Sequence, residues 1–163
     1  MFKLLSSVLL IFLVGCSSVQ QKGTKDRITE LDEYWAEVSR CVNEGDFEGY
    51  KATIHDEGVL ILGMRDKAEP LAEALKRWKV EFDDTKSGKI KAGVTFRVNK
   101  RLGDATTAFE KGMFLYYQVK ADGTKTVAYI HMEALLVKQS DGWKIIMENQ
   151  MSRGTKEEWD KLK

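Results

Sequence analysis

The chain has 163 residues, of which 43% are apolar, and its 26 Lys and Arg residues are balanced by 25 Asp and Glu residues. This length predicts one domain, and the apolar content is enough to bury a core, which excludes disorder for most of the chain. The near-zero net charge argues against a nucleic-acid-binding protein, and two cysteines are too few for a disulfide scaffold.

The first residues have the organisation of an export signal. A short basic start at residues 1–3 is followed by an apolar run over residues 4–14. This run is too short to span a membrane, which takes about 20 apolar residues, but it has the length of a signal-peptide core. It ends in Leu-Val-Gly-Cys at residues 13–16, which resembles the lipobox of bacterial lipoproteins.

The lipobox resemblance implies that residues 1–15 are a lipoprotein signal peptide and that lipid is attached to Cys16. Several acyl chains on one residue anchor stably, because each buried CH₂ contributes about 0.8 kcal/mol. Ser17 rather than Asp follows the cysteine, which in lipoproteins of two-membrane bacteria implies the outer membrane, with the protein facing the periplasm. Residues 16–26 are polar and predict a flexible tether. The alternative is an ordinary signal peptide or a buried N-terminal helix with a chance cysteine.

Helices come first in the remaining chain. Apolar residues spaced by three and four predict a helix that ends at Gly45, with the stripe Ile28, Leu31, Trp35, Val38 and Val42. Asp46 is a predicted N-cap of a short second helix. The apolar run at residues 59–62 predicts a fully buried strand after a turn at residues 55–58. A third helix is predicted after Pro70, with the stripe Leu71, Leu75, Trp78 and Phe82.

Strands follow the helices. From residue 90 apolar and polar residues alternate, which predicts strands over residues 90–99, 105–120, 125–138 and 143–151. Gly-Asp or Asp-Gly pairs separate these strands and predict hairpin turns. Residues 153–163 are predicted to be a C-terminal tail, which is either frayed or a short helix that Trp159 docks. Helices at one end of the chain and strands at the other predict an α+β fold.

Three segments in this order resemble the nuclear transport factor 2-like superfamily, in its SnoaL-like and ketosteroid-isomerase-like branches. They are residues 43–47 (Asn-Glu-Gly-Asp-Phe), the strand Val59–Gly63 and residues 140–146 (Ser-Asp-Gly-Trp-Lys-Ile-Ile). The resemblance implies one domain over residues 27–152. Its fold would be a cone, with a curved antiparallel sheet wrapped around three N-terminal helices and an apolar pocket at the open end. Isomerases, hydrolases, dehydratases, ligand binders and assembly modules share this fold, so that it does not settle the function.

The acid and base positions of the isomerase branch are aliphatic in this sequence. Alignment on the Gly45–Asp46 turn places the usual tyrosine at Val38 and the usual base at Leu62. Counting back from Gly142 places the acidic donor near Ala134, with Glu133 one register away. Because no carboxylate lies on residues 59–63, the sequence argues against proton abstraction by the usual base.

A two-residue turn at Asp141–Gly142 predicts that Ala134 lies opposite Asn149. In that register Met132, Met147 and Asn149 belong to the apolar inner face of the sheet, and Asn149 can orient a ligand. The residues predicted to line the pocket are Trp35, Val38, Leu62, Met64, Trp78, Met113, Met132, Met147 and Asn149. No cofactor is implied.

His131 and Glu133 share the opposite, outer face. Together with Asn149 they are weak catalytic candidates, and His131 and Glu133 are also possible metal ligands. A surface or interface network is the favoured interpretation, because zinc sites usually have several nitrogen or sulfur ligands. In the superfamily the outer face often forms a dimer, which implies a homodimer here.

The sequence therefore favours a membrane-anchored periplasmic module that binds a small hydrophobic ligand or a partner without catalysis. One alternative is a small SnoaL-like enzyme of isomerase, hydrolase or dehydratase type with displaced acid and base residues. The other is a structural dimerisation module of the cell envelope. The enzyme alternative predicts that His131, Glu133 and Asn149 point into one cavity.

Overall fold

The computed structural model describes residues 16–162, with side chains from residue 25 onwards, so the predicted signal peptide (residues 1–15) lies outside the described residues. The elements are α1 (Cys16–Glu44), α2 (Phe47–Ala52), β1 (Ile54–Leu62), a 3₁₀ turn (Gly63–Arg65), β2 (Lys67–Pro70), α3 (Leu71–Lys86), β3 (Ile90–Gly103), β4 (Thr107–Lys120), β5 (Lys125–Gln139), β6 (Gly142–Arg153) and α4 (Lys156–Lys161). The strands form one sheet in the order β2-β1-β6-β5-β4-β3. The α+β class and the open, curved sheet against three N-terminal helices are confirmed. The sheet is mixed rather than wholly antiparallel as predicted, because β1 pairs with β6 in parallel while the other four strand pairs are antiparallel.

Helix α1 buries the predicted apolar stripe against the sheet. Leu31 is 0% exposed, Trp35 7% and Val38 5%. The helix begins at Cys16, so that residues 16–26, for which the sequence predicts a flexible tether, have helical backbone. None of the helices within residues 16–162 has the length and apolar character needed to cross a membrane.

The turn between α1 and α2 forms as its sequence predicts. Gly45 has a φ of +68°, and a Cβ there would lie 2.5 Å from the Phe82 carbonyl oxygen of α3. The position therefore requires glycine both for its left-handed backbone and for the close approach of α3. Asp46 then caps α2, because its Oδ1 accepts a 3.0 Å hydrogen bond from the Gly49 N–H.

Strand β1 is longer and less buried than predicted. The predicted turn at residues 55–58 is a bulge within β1, since Ile54 pairs with Ile145 and Val59 with Met147 of β6. Leu60 is 1% exposed but Val59 is 38% exposed. The prediction of a fully buried strand is wrong, because α1, α2 and α3 cover only the inner face of β1. The edge strand β2 was not predicted, since it is short and contains Lys67 and Glu69.

The predicted register between β5 and β6 is wrong. Gln139 pairs with Gly142, so the tight turn is formed by Ser140 and Asp141. A second irregularity follows, because Leu136 pairs with Ile145 whereas Leu135 pairs with Met147. Ile146 is therefore the extra residue of a β-bulge, and a bulge shifts the following side chains to the other face of the sheet.

This bulge determines which β6 side chains face the helices. Glu148 pairs with the fully buried Ala134, which places Glu148 on the inner face. Asn149 pairs with Glu133 and lies on the outer face, together with Met147. The predicted inner positions of Met147 and Asn149 are thus corrected, and Glu148 and Gln150 take their places.

The C-terminal tail folds back on the outer face of the sheet. Helix α4 has a capping box in which Thr155 and Glu158 exchange hydrogen bonds. Trp159 is 5% exposed, and the Arg97 guanidinium of β3 lies 4.3 Å from the centroid of its ring. Of the two alternatives for residues 153–163, the docked short helix is the one that forms.

Candidate functional site

A cavity of about 300 Å³ lies between the helices and the inner face of the sheet. Eight of its 22 lining residues are aromatic and form what we call the aromatic wall: Tyr34, Trp35, Tyr50, Trp78, Phe82, Phe96, Phe114 and Tyr116. Protein interiors are close-packed and contain few voids larger than a water molecule. A cavity of this size is therefore a distinct structural feature rather than a packing defect.

Contacts between rings hold the aromatic wall in place. The ring centroids of Trp35 and Phe96 are 4.3 Å apart, which joins α1 to β3. Those of Tyr50 and Phe82 are 4.9 Å apart, which joins α2 to α3. Because each pair joins two different elements, the rings are fixed independently of any ligand.

The indole of Trp35 is also anchored from behind, away from the cavity. Its Nε1 donates a 2.5 Å hydrogen bond to Glu110 Oε2, and the Glu110 side chain is 0% exposed. The Arg101 Nε lies 3.1 Å from the other Glu110 oxygen. Burial raises the pKa of Glu110, and the Trp35 hydrogen bond and the Arg101 charge partly oppose this effect.

Glu148 brings a carboxyl group into the cavity. Its Oε1 accepts a 2.7 Å hydrogen bond from Gln150 Nε2, and both residues line the cavity. Burial raises the pKa of Glu148, while the hydrogen bond from Gln150 lowers it by less. No ion pair with Glu148 occurs among residues 25–162, so that its charge is left without a protein partner.

Tyr34 and Tyr50 line the same cavity, and burial raises the pKa of both. Tyr34 donates a 3.2 Å hydrogen bond to the Thr53 carbonyl oxygen. Burial, followed by the charge of Glu148, raises the pKa of Tyr50. Both tyrosines consequently stay neutral throughout the physiological pH range.

A second carboxyl group lies at the rim of the cavity. Glu81 of α3 is exposed, and its Oε2 accepts a 3.0 Å hydrogen bond from the Tyr116 hydroxyl of β4. Within the part of the chain that the structure describes, Glu81 and Glu148 are the charged side chains lining the cavity, and no Lys, Arg or His lines it. The cavity is thus apolar with a negative electrostatic bias.

The predicted pocket residues fall into two groups. Trp35, Val38, Trp78 and Met132 line the cavity. The predicted lining by Leu62, Met64, Met113, Met147 and Asn149 is corrected, because none of these five residues lies in its wall.

Each of the five has a different environment. Leu62 is at the end of β1 and packs against the core, and Met64 is 45% exposed in the 3₁₀ turn. Met113 is 1% exposed on the outer face, where it pairs with Arg97 and His131. Met147 and Asn149 are outside the cavity because of the bulge at Ile146.

The weak catalytic candidates lie together, but outside the cavity. On the outer face Glu133 accepts hydrogen bonds from Lys111 Nζ at 2.9 Å and from Asn149 Nδ2 at 3.3 Å. The Lys111 hydrogen bond holds the pKa of Glu133 below its ordinary value. His131 Nε2 is 3.4 Å from Glu158 Oε2 of α4. These side chains form a surface network, and no cluster of three or more potential metal ligands occurs within residues 16–162.

Sequence reasoning missed Glu148, which is the residue that distinguishes this cavity chemically. The three aligned positions are indeed aliphatic, but Ala134 has Glu148 as its direct neighbour on β6. The available signal was the pair Ile145 and Ile146, which interrupts the alternation of apolar and polar residues in β6. Two adjacent apolar residues within an alternating strand indicate the position of a bulge.

Comparisons with known proteins support the fold. The sequence matches no protein-family model and no curated protein. A protein of unknown function from Mycobacterium tuberculosis is similar in structure, with 15% identity over 82% of this chain and 75% of that chain and a TM-score of 0.65. An NTF-2-like protein of unknown function from Shewanella oneidensis MR-1 is 18% identical over 76% of this chain and 97% of that chain, with a TM-score of 0.57. The CaMKII hub of S. rosetta is 17% identical over 77% of this chain and 95% of that chain, with a TM-score of 0.57. The chain thus has the nuclear transport factor 2-like fold that its sequence resembles.

Proposed function

We propose that this protein is a lipid-anchored module of the bacterial cell envelope that binds a small, largely apolar molecule. The observation that carries the proposal is the aromatic cavity of about 300 Å³. Its volume is within the range of small-molecule sites, which are mostly apolar clefts with a few polar groups that fix the orientation of the ligand. Glu148 and Gln150 supply such polar groups.

Native mass spectrometry of the full chain, extracted from membranes in mild detergent, tests ligand binding. The expected result is an adduct of constant mass on the wild-type protein. Ala92→Phe places a phenyl ring in the cavity and should remove the adduct, because Ala92 lines the cavity. Ala72→Phe, at an exposed position of α3, is the matched control and should retain the adduct. Bare protein in all three samples overturns the binding proposal.

The anchor is proposed from the sequence Leu-Val-Gly-Cys at residues 13–16. In two-membrane bacteria we expect the intact mass to show lipid on Cys16 and the protein to sediment with the outer membrane. Cys16→Ala should abolish both observations, whereas the control Cys41→Ala should change neither. Recovery of unmodified wild-type protein in the soluble periplasmic fraction contradicts the proposal.

A homodimer is proposed through the outer face of the sheet. Five apolar residues on five neighbouring strands lie directly opposite one another across the outer face. We call them the outer apolar row: Val59, Met147, Leu135, Phe109 and Leu102. Leu135 is 42% exposed and Leu102 is 52% exposed, although both are large and apolar. A connected apolar surface of this kind is typical of an interface. One of the similar structures is named a hub and another an association domain.

Sedimentation velocity at several concentrations tests the dimer. We expect Leu135→Asp to convert a dimer into a monomer, because it places a charge in the middle of the outer apolar row. Val80→Asp is the control, since Val80 is 63% exposed on α3, away from the sheet. A wild-type protein that stays monomeric at every concentration overturns the dimer.

Glu148 also supports a second candidate function, an enzyme of isomerase or dehydratase type. A carboxyl group whose pKa is raised in an apolar cavity is suited to moving a proton near neutral pH. In this case enolisable ketones incubated with the protein in D₂O should incorporate deuterium, which NMR detects. Glu148→Gln should abolish the incorporation and Glu133→Gln should not. Equal incorporation by both variants excludes Glu148 as the proton carrier.

A further inference from the structure

We infer that the cavity selects a hydrophobic organic cation, that is, an amine or quaternary ammonium whose charge lies between the aromatic wall and the Glu148 carboxylate. The inference rests on the proposed binding of a small molecule in the cavity and specifies its chemical class. Its basis is the combination of charges and rings around one cavity.

The first argument is charge complementarity. The lining contains Glu81 and Glu148, and within residues 25–162 it contains no Lys, Arg or His. Glu148 has a hydrogen-bond donor in Gln150 but no basic partner among these residues. Glu148 is half-buried in an apolar cavity, where a carboxylate is poorly hydrated, and a cationic ligand supplies the missing charge.

The second argument is the aromatic wall. The face of an aromatic ring carries negative electrostatic potential, and cations bind to it most strongly when they are desolvated. Trp35 and Trp78 contribute the two largest rings, on α1 and α3, and Tyr50 of α2 lies within 6.1 Å of Trp78 between ring centroids. Rings on three helices therefore surround the space that Glu148 reaches from the sheet.

Other ligand classes fit less well. An anion meets two carboxylates and no basic group in the lining. A neutral ligand that accepts a hydrogen bond requires protonated Glu148, whereas a cation requires the ionised form. The remaining titratable groups of the lining are Glu81 at the rim and the three tyrosines Tyr34, Tyr50 and Tyr116. Burial raises the pKa of all three tyrosines, so they stay neutral when Glu148 titrates.

The experiment compares two molecules of the same shape and different charge. Benzyltrimethylammonium and neopentylbenzene differ by the replacement of the charged nitrogen with carbon. Each is titrated by calorimetry into the full-chain protein in detergent, with protein-free micelles as the blank. Glu148→Gln is compared with the control Glu133→Gln, because Glu133 lies on the outer face and pairs with Lys111.

The expected result is that the cation binds wild type at least about tenfold more tightly than its neutral isostere, which is the effect of a charge-assisted contact. Glu148→Gln should weaken binding of the cation about tenfold and leave the neutral isostere nearly unchanged. Glu133→Gln should bind both molecules as wild type does. Affinity for the cation should rise as pH rises through the pKa of Glu148.

Two different failures are distinguishable. Equal affinity for both molecules, or a cation affinity that Glu148→Gln leaves unchanged, overturns the cation inference while the ligand-binding proposal stands. An affinity that falls as pH rises identifies the ligand class as a neutral acceptor of a hydrogen bond from protonated Glu148. If neither molecule binds and native mass spectrometry finds bare protein, the proposed function itself fails.

Discussion

The side-chain amide of Gln150 donates a 2.7 Å hydrogen bond to the carboxyl of Glu148, its neighbour on the inner face of β6. Burial raises the pKa of Glu148 and this hydrogen bond lowers it, with burial the larger effect. The Gln150 amide thus opposes the effect of burial on the protonation of Glu148 without outweighing it. Glu148 and Glu81 at the rim set the charge that a ligand meets.

Removal of the amide should make Glu148 harder to ionise. We expect Gln150→Leu to raise the pKa of Glu148 further, because the donor that favours the carboxylate is lost. The carboxyl ¹³C shift of labelled glutamate, assigned with Glu148→Gln, reports the titration. Gln139→Leu, at an exposed position of β5, should leave the midpoint unchanged. An unchanged midpoint in Gln150→Leu would show that the hydrogen bond does not stabilise the charge.

The same carboxyl should make stability depend on pH. Burial raises the folded-state pKa of Glu148 above the ordinary value of 4.5, so the folded state favours the protonated form. Its contribution is fully present below about pH 4.5 and is lost as pH rises through the folded-state pKa. Relative to Glu148→Gln, which does not titrate at this site, the wild type should therefore lose free energy of unfolding as the pH rises above 4.5. Urea unfolding of both proteins measures the difference, and parallel pH curves would contradict the assignment.

The helices and the strands β3 to β6 were predictable because the sequence patterns that indicate them are local. The stripe around Leu31 and Trp35 and the left-handed Gly45 follow from helix geometry, and the long hairpins follow from period-two alternation. Side chains and their neighbours in sequence determine these elements, and the structure confirms them.

The chemistry of the cavity was not predictable in the same way. One extra residue, Ile146, moves Glu148 to the inner face and Asn149 to the outer face. The hydrophobic alternation of a strand indicates which residues share a face only until a bulge intervenes. The bulge at Ile146 thus leaves the fold intact but puts the carboxyl group of Glu148, instead of the amide of Asn149, in the cavity.

Arg101 should stabilise the folded protein by supplying a positive charge next to the buried carboxylate of Glu110. Its Nε is 3.1 Å from Glu110 Oε1, and Glu110 is 0% exposed. Arg101→Leu leaves a buried carboxylate without its counter-charge and should lower the free energy of unfolding by about 3 kcal/mol. Adding Glu110→Gln to this variant should restore part of the loss, because it removes the uncompensated charge. Arg65→Leu, at an exposed position, is the control in urea unfolding, and a double variant no more stable than Arg101→Leu would contradict the pairing.

Cys41 should be chemically inert in the folded protein. Its side chain is 0% exposed, and burial together with a hydrogen bond to Glu37 raises the pKa of the thiol to about 12. At pH 8 the thiol is therefore protonated, and only the thiolate is a good nucleophile. In Cys16→Ala, we expect a thiol reagent such as DTNB to detect no fast-reacting thiol in native protein and one thiol after unfolding. Fast labelling of the native protein would indicate that this part of the core opens.

Trp159 should determine whether α4 stays on the sheet. The Arg97 guanidinium stacks on the Trp159 ring, and its Nη1 donates a 2.6 Å hydrogen bond to the Trp159 carbonyl oxygen. The ring of Tyr129 also packs there, with its centroid 6.0 Å from that of Trp159. Trp159→Ala removes a buried ring, a change that costs about 3–5 kcal/mol in a core. Because α4 packs on the outer face of the sheet and Trp159 is not part of the main core cluster, α4 can detach without unfolding the sheet, so the loss of global stability should be smaller than this.

Hydrogen exchange measures this detachment directly. The hydrogen-bonded backbone amides of Glu158, Trp159 and Leu162 should lose protection in Trp159→Ala, while those of β6 retain it. Lys161→Ala, an exposed change on the same helix, should leave the amides protected. Unchanged exchange in α4 would mean that the capping box and the Gly154–Tyr129 backbone hydrogen bond of 2.8 Å hold the helix without the ring.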